Sequence, residues 1–168
     1  MDPQANPLSV LSFIAAPAIL TNATSILISS TSVRLGRAVD RARDLTTQLE
    51  RPEGFAGPVA RSKSIELAAA QKRMLMLIRA LRAFYVALGS FADATLLSLV
   101  GAIVAASASP AIALGLELLA VGAGAVAVAA LVRGAFLLVR ETRIAVAVLQ
   151  DRARRVQAEF AEKNRGGN

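Results

Sequence analysis

Apolar positions along the chain gather into three long runs separated by two polar, basic blocks. The first run covers about Leu8 to Ser32 and the second about Ala83 to Ala108. The third covers Ala111 to Val132, and extends to Val139 if Arg133 snorkels its guanidinium toward the interface. Each exceeds the roughly 20 residues that a helix needs to cross a bilayer core. Ser107-Ala108-Ser109-Pro110 reads as a tight turn between the last two runs. Helices of a soluble bundle would show a polar face, yet Ala94 to Leu116 carries no charge. The pattern predicts three transmembrane helices.

The polar blocks have helical period too. Leu35, Ala38, Ala42, Leu45 and Leu49 step by three and four residues, while Arg34, Arg37, Asp40, Arg41, Arg43 and Asp44 occupy the other faces. The first membrane helix should therefore continue into the cytoplasm until Arg51 to Pro58 breaks it. A further helix starts near Ser64, capped by Ser62 or Ser64, with Leu67, Met74, Leu77, Leu81, Phe84 and Leu88 along one seam. Gln71 or Ala70 fills the missing step. The expected divisions are an outer N-terminus and first span over 1–32, its cytoplasmic extension over 33–50, and a linker over 51–63. A cytoplasmic helix entering the second span follows over 64–108. The third span with its basic extension covers 109–162, and a disordered tail 163–168.

Charge then fixes the topology. None of the 19 Lys and Arg lies before Arg34 or between Ala83 and Val132. By the positive-inside rule the 33–82 segment and the C-terminal tail are cytoplasmic, and the N-terminus and the 107–110 turn face outward. The net charge of +7 thus marks the cytoplasmic side and attraction to anionic headgroups. Nucleic acid is not the expected partner, because no aromatics interleave with the basic residues. A cleaved signal peptide needs positive charge before its apolar core, and here the charge follows it.

Composition narrows the chemistry. The chain is 55% hydrophobic and 18% charged, with a mean hydropathy of +0.53, which excludes disorder. It has no Cys and no His. Disulfides are impossible, and zinc, haem and iron–sulfur sites lack their usual ligands, so no metal or cofactor is expected. Proton shuttling would fall to carboxylates, Lys or Tyr85, and there is no Gly-rich phosphate loop. An enzyme is not expected.

The first span is unusually polar. Ala15, Ala18, Asn22, Ser25, Ser29 and Ser32 step by three or four and form one small or hydroxylated stripe. Lipid offers such groups no partners, so the stripe should face protein or water. It makes either close helix–helix contacts or the lining of a pore shared by several subunits. Pro17 should kink or loosen this helix around Phe13. Arg34, Arg37 and Arg41 would then ring a cytoplasmic mouth, with Asp40 and Asp44 near enough for local pairing.

Two acids sit at membrane depth. Asp93 lies about 16 Å past Arg82, and Glu117 about 10 Å past Pro110, at 1.5 Å per residue. Each is a functional candidate or a hydrogen-bonded packing residue. Gly115, Ala120, Gly122, Ala123, Gly124 and Ala127 in the third span, with Gly101 and Ala105 in the second, permit close helix approach.

Ala16-Pro17-Ala18-Ile19-Leu20 and Ser30-Thr31-Ser32-Val33-Arg34-Leu35-Gly36-Arg37-Ala38-Val39-Asp40-Arg41-Ala42-Arg43-Asp44-Leu45 resemble the signature of a small bacterial membrane-protein family known only as a domain of unknown function. Its pattern is an apolar first span with a proline, followed by R-x-x-R-x-x-D-R-x-R-[DE]-L. Lys72 to Arg82 matches a later basic segment loosely, and the likeness covers about residues 8 to 150. The resemblance implies a bacterial inner-membrane protein and brings no activity with it.

These readings lead to an all-α membrane protein with three long transmembrane helices and cytoplasmic helical extensions, forming a homo-oligomer. The expected function is an ion channel or pore lined by the first helix, with lipid bilayer, ions and its own copies as partners. A non-conducting scaffold or regulatory subunit is the alternative, and a lipid-headgroup binder a third.

Overall fold

The computed structural model describes residues 7–50, 58–104 and 109–166, all but Ser109 of them helical. Helix α1 is Pro7–Glu50, α2 is Pro58–Val104 and α3 is Pro110–Gly166. Each begins on a proline, whose fixed φ suits the first helical position and whose missing N–H would be unpaired there anyway. Ahead of α3, the Ser109 carbonyl accepts from the amides of Ile112 at 3.0 Å and Ala113 at 3.2 Å. α1 runs through Pro17 as one helix.

Two boundaries differ from the sequence reading. α2 starts at Pro58, six residues before Ser64, because a proline read as part of a linker is the helix's first residue. α3 continues through 163–166, so the expected tail is helical that far. The expected 107–108 part of the turn, the 51–57 part of the linker, and residues 1–6 and 167–168 lie outside the described residues.

The chain forms two compact units, Met1–Ser32 with Arg79–Ala135, and Val33–Ile78 with Phe136–Asn168. In the first unit, Ala87 and Phe91 of α2 pack with Ala127 of α3, and Leu20 of α1 closes on them. A Cβ on Gly134 would fall 2.5 Å from the Phe84 ring, and a Cβ on Gly101 would meet Leu116 at 3.9 Å. Positions that rise along α2 meet positions that fall along α3, so the two are antiparallel here. In the second unit, Arg41 of α1 meets Glu66 of α2, and Arg73 of α2 meets Glu141 of α3.

Burial follows one arithmetic in all three helices. The buried positions include Thr24, Thr31, Ala38 and Leu45 in α1, Ala70, Leu77, Phe84 and Phe91 in α2, and Ala120, Ala127, Gly134 and Glu141 in α3. Each set advances by seven, the repeat that keeps a seam on its partners in left-handed supercoiled packing. Of the two candidates for the missing α2 step, Ala70 is buried and Gln71 exposed. The expected seam from Leu35 to Leu49 is also present, with Ala38 and Leu45 buried and Leu35, Ala42 and Leu49 half-buried.

α2 and α3 each hold a stretch long and apolar enough to cross a membrane. Only 17% and 11% of those stretches are buried, whereas the core helix of a soluble protein would be mostly covered. Large apolar side chains such as Leu96, Ile103, Leu114, Leu118 and Val121 face outward.

Candidate functional site

The polar residues of α1 lie on two faces, and those of the predicted stripe share one of them. Asn22, Ser25, Ser29 and Ser32 are exposed, while Thr24 and Thr31 are completely buried. The buried hydroxyls need no neighbour, since Thr24 donates to the Leu20 carbonyl at 2.7 Å and Thr31 to that of Leu27 at 2.6 Å. On the open face Ser25 donates to the Thr21 carbonyl at 3.0 Å and Ser32 to that of Ile28 at 2.9 Å. This back-bonding removes much of the cost of a hydroxyl in an apolar setting. Asn22 and Ser29 make no side-chain hydrogen bond among the described residues. An amide has two donors and an acceptor to satisfy, so Asn22 carries the strongest demand for a partner on this face.

The arginines expected at a mouth are differently engaged. Arg41 forms an ion pair with Glu66 at 2.8 Å, and Arg34 lies 3.8 Å from Glu141. Both partners are glutamates on other helices, not the nearby Asp40 and Asp44. Arg37 is exposed.

Asp93 is exposed on the rim of a shallow groove of about 460 Å³ between α2 and α3, beside Leu96, Leu97, Leu118 and Leu119. Glu117 is also exposed and is not part of that lining. Neither acid has an ion-pair partner among the described residues. No group of three potential metal-ligating side chains occurs among those residues.

One site escaped the sequence reading. Glu141 is 2% exposed and occupies a seam position of α3. Both Nε and Nη2 of Arg73 lie 2.7 Å from its Oε1, and Nη1 of Arg34 lies 3.8 Å from its Oε2. One carboxylate thus draws an arginine from each of the other two helices. A charge so deeply buried is tolerated only when paired and hydrogen-bonded, and here it is. The signal was in the spacing: seven residues beyond Ala120, Ala127 and Gly134 the seam falls on a glutamate.

These features make the chain all-helical, with two helices long and apolar enough to cross a membrane and an ion-paired polar region. The chain belongs to the family described as a protein of unknown function (DUF2721), whose model matches residues 14–151. No curated protein and no solved structure matches it.

Proposed function

We propose that the chain is a multi-pass protein of the bacterial inner membrane, N-terminus outside and C-terminus inside, that assembles as a homo-oligomeric ion channel or pore lined by α1. The observation that carries this reading is the open face of α1. Asn22, Ser25, Ser29 and Ser32 are exposed, and the Asn22 amide has no partner among the described residues. In lipid an unpartnered amide costs several kcal/mol by general scales, so copies meeting about an axis would satisfy these faces with one another or with water. Exposed Asp93 and Glu117 fit the same need, since carboxylates at membrane depth turn to protein or to a water path. On this reading α1 is a third span, the protein performs no catalysis, and its partners are lipid, ions and itself.

The test is conduction by the purified protein in a planar bilayer. Asn22→Leu and Ser25→Leu should abolish the current, and normal conductance in both variants would overturn the pore lining.

A second reading, a scaffold or regulatory subunit, is favoured by the unit containing Val33–Ile78 and Phe136–Asn168. There Ile65, Leu75, Val146 and Leu149 leave large apolar surface uncovered. It fails if affinity capture from native membranes recovers the protein alone.

A further inference from the structure

The arginines of the chain divide by what they touch. Arg34, Arg41 and Arg73 each engage a glutamate. Arg79, Arg82 and Arg133 are exposed and form no ion pair among the described residues. These three converge on a single groove of about 620 Å³ between α2 and α3, whose remaining walls include Val86, Val126 and Ala130.

The groove is amphipathic along its length. On α2 it runs from Arg79 and Arg82 forward to Val86; on α3 it runs from Arg133 back to Val126. Because the helices are antiparallel here, both paths leave the arginines in the same direction. With Gly134 opposite Phe84 and Ala127 against Phe91, Arg133 lies level with about residue 85 and Val126 just beyond Phe91, so the groove runs about 20 Å, with the three arginines along its first half and Ala130, Ala129 and Val126 along its second. From Ala83 to Val132 no further basic residue occurs, so the cationic end lies where the apolar stretches begin.

We propose that this groove binds an anionic phospholipid, its phosphate held by Arg79, Arg82 and Arg133 and the start of an acyl chain lying along Val86 and Val126. Planar guanidinium forks match phosphate oxygens in pairs, and unpaired arginines beside a groove between membrane helices on the cytoplasmic side are a recurring headgroup site. A free phosphate would use the arginines and leave the apolar walls empty; a nucleic acid would find no aromatic platform. The site requires a membrane location and does not depend on the pore.

The experiment is native mass spectrometry of the full-length protein in detergent, titrated with phosphatidylglycerol, with diphosphatidylglycerol and with phosphatidylcholine. Whether the protein sediments with membranes is scored separately, so that failure of the membrane reading is seen as such. Both anionic lipids should bind and phosphatidylcholine should not. The triple variant Arg79→Ala/Arg82→Ala/Arg133→Ala should bind them roughly 100-fold more weakly. The control Arg43→Ala/Arg140→Ala/Arg143→Ala removes equal charge from exposed positions and should bind as the parent does. Val126→Trp, at a half-open wall position, fills the groove and keeps every arginine; it should weaken lipid binding several-fold with helical content unchanged. Equal loss in the control, parental affinity in the triple variant or in Val126→Trp, or displacement of lipid by millimolar inorganic phosphate would each overturn the proposal.

Discussion

The two units of the chain use one seven-residue seam and hold it together by different means. In the unit of Met1–Ser32 and Arg79–Ala135 the buried residues are Ala, Phe, Thr and Gly, the hydroxyls are satisfied within their own helix, and no ion pair occurs among the described residues. In the unit of Val33–Ile78 and Phe136–Asn168 the seam holds Leu45 and Leu77 and a buried glutamate, and all three recorded ion pairs fall there. On the proposed topology the difference matches two solvents. Lipid gives helices no hydrophobic reason to associate, so contact rests on close steric fit of small residues. Water rewards apolar burial but leaves the partner choice loose, and a polar group in the seam can then fix register.

That comparison predicts a graded set of mutational effects, read as thermal or denaturant unfolding of the protein in detergent. Arg73→Ala should cost the most, about 3–5 kcal/mol, because it strands the Glu141 carboxylate in the interior. The double variant Arg73→Met/Glu141→Leu should recover most of that loss, since an apolar pair of similar size removes the buried charge altogether. If the single and double variants are equally unstable, the glutamate contributes through packing and not charge.

Gly134→Ala should come next, at about 1–3 kcal/mol, because the new methyl would meet the fully buried Phe84 ring. Phe84→Leu in the same chain should relieve part of it. Additive losses in that pair would show that the ring and the glycine act independently.

Arg34→Ala should cost no more than about 1 kcal/mol, given a half-exposed side chain at 3.8 Å from its partner. Thr31→Val should be the smallest, within about 1 kcal/mol of zero, because its hydroxyl bonds only its own helix. A large effect at Thr31 would mean that the first unit depends on polar contacts after all.

Much of the architecture was readable from spacing alone. Three helices follow from the apolar runs, the α1 end at Glu50 from the Pro and Gly after Arg51, and the seams through Ala38, Leu45, Leu77 and Phe84 from steps of three and four, because apolar contrast against water marks the inward face. Where the chain is apolar all round, that contrast vanishes. The steps of three and four set Asn22, Ser25, Ser29 and Ser32 on one stripe apart from Thr24 and Thr31, but do not say which of the two faces the chain itself would cover; the step of seven back from Ala38 points to the threonines. Glu141 was missed for the opposite reason. A charge in a basic, amphipathic segment reads as solvated, and its two arginines come from distant helices that no local window joins. Pro58 was hidden by its neighbours Gly54 and Gly57, which read as linker.

The Glu141 contact also has a consequence for the chain as it leaves the ribosome. Arg73 and Glu141 are 68 positions apart. While α1 and α2 emerge, Arg73 has no carboxylate to hold and that seam stays wet. Its anion arrives only when α3 has been synthesised, so the union of the three helices in that unit waits for α3.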